Sequence, residues 1–216
     1  MATMTMAAGC ATSCSPSTTG LRLDADTHTY YYDGRRVPGV TTSLTAAGLI
    51  DYSGIPQHVL DRAAERGSAV HRALEFFDAG TLDRSTVSDE LEPYLQAYER
   101  FRADTGFFPV LSERSRYHPL RRYAGTFDRT GTIGDELILL DFKTVCEVQE
   151  GHMMQLAGYL HFFPSPRRFR PIALQLRPDA KYRVHEMRPC HFDQYSSVFF
   201  AAITMAHARI AQGRVH

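Results

Sequence analysis

Residues 125–144 read GTFDRTGTIGDELILLDFKT and contain the stretch that decides the fold. Four consecutive apolar residues, Leu137 to Leu140, lead directly into Asp141, Phe142 and Lys143. An uninterrupted apolar run of this length is typical of a central strand that is buried on both faces. Because side chains alternate along a strand, Asp141 and Lys143 share one face and Phe142 points to the other. The sequence therefore predicts a buried strand that ends in two charges.

The segments around this strand predict an α/β fold. A hairpin is indicated around Asp33-Gly34 and is followed by a short helix. The longer elements predicted are helices near 56–78, 89–103, 148–163 and 193–211, and strands near 108–118, 122–131, 136–145, 170–178 and 182–189. Their order is helices, three strands, helix, two strands, helix. This order predicts a central mixed β-sheet flanked by helices, α-βββ-α-ββ-α.

Two local details accompany the first two long helices. In the helix near 56–78, one apolar face is predicted to contain Val59, Val70, Leu74 and neighbouring apolar residues. In the helix near 89–103, Asp89 and Glu92 have the spacing of a capping box.

Length and composition indicate one globular domain. The chain has 216 residues, of which 44% are hydrophobic, enough to bury a core. We expect residues 1–20, which contain no charged side chain, to be a disordered tail, and residues 21–216 to form a single domain. The tail lacks the pattern of a secretory signal, and no run approaches the roughly 18 apolar residues of a membrane span. These features predict a cytoplasmic protein with no membrane partner.

The basic residues are distributed in an unusual way. Acidic and basic residues number 24 each, so binding to a nucleic acid requires a local basic surface. Only Lys143 and Lys181 are lysines, and the other basic residues are arginines. Lysine is a compact point charge whose pKa moves readily, whereas arginine stays charged. Lys143 is therefore a candidate for a chemical role.

Asp128 lies on the strand that precedes the buried one. In an antiparallel hairpin its carboxylate comes beside that of Asp141, and two such carboxylates repel each other unless a cation lies between them. Oxygen ligands of this kind select Mg²⁺ or Mn²⁺. The alternative is that Asp128 and Asp141 cap turns and that Lys143 forms an ordinary cross-strand ion pair.

Three more polar residues lie on predicted helices. His71, in RGSAVHRALEFF, borders the apolar stripe of its helix, where a histidine can be a metal ligand or a structural residue. Gln155 and Tyr159, in QLAGYLHFF, are four residues apart and share one helix face. That spacing equally suits core packing.

Together, the segments RGSAVH, GTFD, DFK and QLAGY resemble the PD-(D/E)xK nuclease superfamily. The resemblance is to its RecB-like and phage-type exonuclease branch, which includes the mitochondrial genome maintenance exonuclease. It covers about residues 30–200 in the order of elements. It implies a restriction-endonuclease-like core and a Mg²⁺- or Mn²⁺-dependent deoxyribonuclease.

The resemblance also implies roles for individual residues. His71, Asp128, Asp141 and the backbone carbonyl of Phe142 would bind the metal. Lys143 would orient or activate the attacking water and stabilise charge on the phosphate. Gln155 would support that lysine and the substrate backbone, and Tyr159 completes the same motif.

Two further implications concern Glu113 and the cysteines. Glu113 matches an acidic residue often seen on the strand before GTFD, although an exposed structural role is equally compatible with its position. Several relatives hold an iron–sulfur cluster with four cysteines, most of them near the C-terminus. Here two of the four cysteines, Cys10 and Cys14, lie in the tail, so we expect no such cluster.

Arginines are the candidates for binding DNA. They are Arg62, Arg66 and Arg72 on the helix that carries His71, and Arg121, Arg122 and Arg129 around the hairpin that leads to Asp128. They could equally form a solvated surface. The resemblance implies an exonuclease, which we expect to act on DNA ends or single strands, in recombination or repair in a bacterial or phage-infected cell. The alternatives are a structure-selective or defence-associated endonuclease and a non-catalytic nucleic-acid-binding protein on the same fold.

Overall fold

The computed structural model describes residues 20–25 and 27–214. In chain order, its main elements are β1 (Leu21–Asp24), β2 (Thr29–Tyr32), β3 (Arg35–Val37), α1 (Val40–Ala46), α2 (Gln57–Asp78), α3 (Glu92–Thr105), β4 (Phe108–His118), β5 (Tyr123–Ile133), β6 (Glu136–Lys143), α4 (Glu150–Leu160), β7 (Phe169–Leu176), β8 (Tyr182–Glu186) and α5 (Phe192–Ala211). Except for Gly20, the predicted tail lies outside the described residues.

The central sheet has five strands in the order β4-β5-β6-β7-β8. Its β6–β7 pair is parallel, and the other three pairs are antiparallel. A parallel pair needs a crossover connection, which α4 provides between β6 and β7. This arrangement confirms the predicted mixed sheet flanked by helices. A separate antiparallel sheet, β1-β2-β3, precedes it, and β1 was not predicted.

Strand β6 is the middle strand of the sheet, and both of its faces are covered by helices. Leu139 packs with α1, α4 and α5 on one face. Ile138, Leu140 and Phe142 pack with α2 and α3 on the other face. All four side chains are buried, which agrees with the apolar run seen in the sequence.

The two long helices on the second face differ from the sequence prediction in detail. The apolar face of α2 is buried at Val70, Ala73 and Leu74, whereas Val59 is 45% exposed. Its first turns therefore extend beyond the core. In α3, the N-cap residue is Leu91, which makes no side-chain capping bond, so the predicted Asp89–Glu92 capping box is wrong.

Close packing around α4 requires glycine at residue 158. A Cβ atom on Gly158 would lie 2.7 Å from the ring of Phe199 on α5. Helices α4 and α5 therefore pack closely together in the core that covers Leu139 of β6. Among the described residues, no helix combines the length and the hydrophobicity that crossing a bilayer requires.

Candidate active site

Strands β5 and β6 separate at the level of Asp128. Their backbone pairing runs from Ile133 and Glu136 to Arg129 and Leu140, and it ends there. Beyond that point, the N–H of Phe142 donates to Asp128 Oδ2 at 2.6 Å. A side-chain carboxylate thus replaces a backbone carbonyl as the acceptor, which opens the sheet where the charged end of β6 begins.

Strand β5 also changes its side-chain direction at Asp128. Phe127 packs with the α1, α4 and α5 core, whereas Arg129 reaches Asp78 on α2, on the opposite face. Residues two apart on a regular strand share a face, so the strand is irregular between them. On the adjacent strand, Glu113 has a φ of 45°, an uncommon value for a residue with a side chain. Two neighbouring strands therefore depart from regular geometry side by side.

These irregularities bring three polar side chains together. Nδ1 of His71 lies 3.3 Å from Asp128 Oδ1 and 3.7 Å from Glu113 Oε1. One ligand atom from each of the three residues lies within 4.8 Å of the others. We call these residues the three-ligand cluster. Glu113, the least firmly assigned residue in the sequence, is part of it.

Burial and the charges in the cluster shift its pKa values in different directions. Burial alone would lower the pKa of His71, but Asp128 and Glu113 outweigh it and raise the pKa to about 10. Burial opposes ionisation of Asp128, yet His71 and Lys143 hold the pKa of this carboxyl below its usual range. For Glu113, burial dominates and raises the pKa, against the attraction of His71.

The donor set fits a divalent cation. It offers two carboxylate oxygens and one imidazole nitrogen, ligands that suit Mg²⁺ and Mn²⁺ as well as other divalent ions. A proton on His71 balances part of the carboxylate charge. Metal binding would displace that proton, because a ligating imidazole must be neutral.

Asp141 and Lys143 form a second group at the end of β6. The Lys143 ammonium contacts the Asp141 carboxylate. Burial raises the pKa of Asp141 to about 6, which Lys143 opposes and the charge of Asp128 reinforces. Asp141 is not part of the three-ligand cluster found among the described residues. Of the predicted ligands, His71 and Asp128 meet, whereas Asp141 faces the lysine.

Gln155 and Tyr159 lie on α4 beside these charges. The Gln155 amide donates to Tyr159 Oη and to Thr41 Oγ1, both at 3.0 Å. Its Oε1 is buried and has no hydrogen-bond partner among the described residues. Burial raises the pKa of Tyr159 well above its usual value, and the charge of Asp141 adds to the rise. The glutamine is thus anchored to α1 and α4, and none of the hydrogen bonds among the described residues joins it to Lys143.

Arg129 has a different place from the one predicted. Its side chain is fully buried, so it cannot reach DNA. Nε donates to Asp78 Oδ2 at 2.7 Å, and Nη1 donates to Glu113 Oε1 at 3.1 Å. The assignment as a DNA-binding residue is therefore wrong: Arg129 supports Glu113 from inside the protein. A buried arginine needs such partners, because an unpaired buried charge is very costly.

The other candidate arginines lie on two parts of the chain, the helix α2 and the turn before β5. Arg62 and Arg72 are exposed on α2, the helix that carries His71. Arg66 lies on the same helix, with its Nη1 4.0 Å from Glu90 Oε1. Arg121 and Arg122 are exposed in the turn before β5. At about 3.3 Å per residue, the six residues from Arg122 to Asp128 span about 20 Å. The α2 arginines are thus better placed than the turn arginines.

Comparisons with known proteins give limited likenesses. No protein-family model matches the chain, and no curated protein matches it. One similar solved structure is an alkaline exonuclease (LHK-Exo) from Laribacter hongkongensis, with a TM-score of 0.38 and 14% identity over 82% of this chain and 92% of that chain. Another is SSO0001, with a TM-score of 0.29 and 15% identity over 64% of this chain and 71% of that chain.

Proposed function

We propose that this protein is a Mg²⁺- or Mn²⁺-dependent DNA exonuclease that hydrolyses phosphodiester bonds at ends or in single strands. The observation that carries the proposal is the opening between β5 and β6. It sets the three-ligand cluster beside the Asp141–Lys143 pair. Carboxylates, an imidazole and one ammonium in this arrangement suit phosphate chemistry.

In this proposal, His71, Glu113 and Asp128 hold the cation. Asp141 and the backbone carbonyl of Phe142 are the two further ligands that the family resemblance implies. A bound divalent cation supplies Lewis-acid polarisation of the phosphate and makes the attacking water more acidic. The residues that hold the cation also fix its position relative to β6, because Asp128 is tied to the Phe142 N–H.

The reacting groups supplied by the chain are at the end of β6. Lys143 places one positive charge where charge develops on the phosphate, and it orients the attacking water. Asp141 contacts the ammonium and holds it in place. Gln155 and Tyr159 lie next to these groups on α4, where the Gln155 amide donates a hydrogen bond to Tyr159 Oη.

Substrate binding in this proposal relies on the α2 arginines. Arg62, Arg66 and Arg72 share the helix with His71, and backbone phosphates are the groups that such arginines contact. The biological setting we propose is recombination or repair in a bacterial or phage-infected cell.

The experiment that tests the function uses linear DNA labelled at either end, single- or double-stranded, and circular single strands. Reactions contain Mg²⁺, Mn²⁺ or EDTA. We expect metal-dependent shortening of linear DNA, loss of activity in Lys143→Ala and full activity in Lys181→Ala. Lys181 is the matched control, because it is the other lysine and its side chain is 66% exposed on the surface.

Each alternative outcome has a definite meaning. Cleavage of circular strands, which have no ends, would show that the protein is an endonuclease and not an exonuclease. Binding of DNA without cleavage in either metal would show that the protein is a non-catalytic nucleic-acid-binding protein. Cleavage that survives Lys143→Ala would exclude the assigned role of the lysine.

A further inference from the structure

A second concave site lies away from the three-ligand cluster. It is a cavity of about 290 Å³ between the β1-β2-β3 sheet, α1 and the end of α5. Its walls include Arg36, Arg209, Arg214 and His28, with Tyr30 and Thr42. We call it the arginine pocket. None of the residues proposed above to act in catalysis lines it.

The charge of the arginine pocket distinguishes it from the other main cavities. No acidic residue is present among the described residues that line it. The other three cavities described for this part of the chain each contain at least one carboxylate, from Glu136, Glu90 and Glu147 respectively. The chain as a whole has equal numbers of acidic and basic residues. A concave wall with three arginines and no carboxylate among its described residues therefore favours an anionic ligand.

The arginines of the pocket fall into two kinds. Arg209 is held in place, since its Nη1 donates to the carbonyl of Ala46 at the end of α1, at 2.7 Å. Arg36 and Arg214 form no ion pair with any described residue. Elsewhere, by contrast, Arg84 and Arg170 each bind two carboxylates. The pocket thus combines one guanidinium held by a backbone carbonyl with two that have no ion-pair partner among the described residues.

Size and lining narrow the ligand class. The volume lies just below the roughly 300–1,000 Å³ typical of ligand pockets, which suits a small molecule or one nucleotide of a strand. Arginine forks match the geometry of phosphate oxygens, and the Tyr30 ring adds an aromatic surface to the wall.

We propose that the arginine pocket binds a phosphate group, carried by a mononucleotide or by a nucleic-acid strand. This site is independent of the proposed catalytic chemistry, since no metal ligand takes part in it. The expected binding is therefore retained in EDTA and depends on Arg36 and Arg214.

The test is isothermal titration calorimetry of the full chain in EDTA at low salt, with AMP, adenosine and inorganic phosphate. We expect AMP to bind, inorganic phosphate to compete with it, and adenosine not to bind. Arg36→Gln combined with Arg214→Gln should weaken AMP binding about tenfold or more, as expected for loss of hydrogen bonds to a charged group.

Matched controls separate this effect from a general change in charge or folding. Arg35→Gln removes one charge from the same strand, at an exposed residue that does not line the pocket. We expect it to bind AMP like the wild type, and circular dichroism should show that all variants are folded. Equal binding by the double variant and Arg35→Gln, or binding of adenosine as tight as that of AMP, would overturn the proposal.

A second arm identifies the source of the phosphate. Short oligothymidylates are titrated under the same conditions. Tighter binding than AMP that is lost in the double variant would support a strand phosphate, and equal or weaker binding would support a free mononucleotide. Binding of neither AMP nor oligonucleotide through Arg36 and Arg214 would refute the site, whether or not the chain cleaves DNA.

Discussion

Glu113→Gln removes one charge from the three-ligand cluster and leaves the shape of the side chain unchanged. The amide oxygen can still accept the 3.1 Å hydrogen bond from Arg129, so the protein should fold normally. Loss of supporting groups around a metal typically weakens binding 10- to 100-fold, and for a direct ligand we take the upper end, about 100-fold. This corresponds to about 2.7 kcal/mol of binding free energy.

The size of this effect should depend on pH. Glu113 helps to raise the pKa of His71 to about 10, and a metal must displace the His71 proton. Metal binding by the wild type therefore strengthens as pH rises from 7 to 8.5. Without the Glu113 charge, the pKa of His71 falls. The metal affinity of the variant therefore increases less than that of the wild type between pH 7 and pH 8.5. The difference between variant and wild type should be larger at pH 8.5.

The assay is calorimetric titration with Mn²⁺ at both pH values. Glu75→Gln is the matched control, because Glu75 is exposed on α2 one turn after His71. We expect that variant to bind Mn²⁺ like the wild type. Unchanged binding in Glu113→Gln, together with weak binding in Asp141→Asn, would refute the three-ligand cluster and favour the Asp128–Asp141 set that the sequence indicated.

Three other predictions concern stability. Arg129→Met should lower the free energy of unfolding in urea by about 3–5 kcal/mol, because it leaves Asp78 buried with fewer partners, whereas Arg100→Met on the exposed face of α3 should change it by less than about 0.5 kcal/mol. Mn²⁺ at 100 times its Kd should stabilise the wild type by about 2.7 kcal/mol in thermal unfolding, and this gain should vanish in Asp128→Asn. Burial lowers the pKa of His161 from 6.5 to about 4, so the unfolded chain binds the extra proton and stability is lost as pH falls from 6.5 to 4. Urea unfolding at pH 7 and pH 4.5 should show this loss to be smaller in His161→Gln, and an equal loss in both proteins would contradict it.

The order of the elements along the chain and the charged end of β6 could be predicted because they depend on local patterns. The apolar run Leu137 to Leu140 requires burial on both faces, and strand alternation then fixes where Asp141 and Lys143 point. Helical periodicity likewise places His71 beside the buried stripe of α2. Such features are encoded in the spacing of residue types along one element.

The composition of the cluster depends on backbone irregularities that no periodicity reveals. Glu113 contacts the site because its φ is positive, and Asp128 does so because β5 changes direction there. Sequence patterns assume regular alternation, so they assigned Glu113 only loosely and did not reveal that it meets Asp128. One signal was available for the buried pair: Asp78 lies seven residues after His71, on the same face of α2, and an inward-facing acid requires a partner such as Arg129.

The two cations near the cluster differ in ways that match their positions. Arg129 is buried behind Glu113 and donates to two carboxylates and to the Asp128 carbonyl at once, which a planar fork of five donors can do. Lys143 contacts a single carboxylate and keeps 13% of its side chain exposed. A point charge on a flexible stem can turn toward a reacting phosphate, whereas a guanidinium held by three acceptors cannot. In a chain that otherwise prefers arginine, the lysine thus lies where a mobile charge is useful, and the arginine lies where a fixed one is needed.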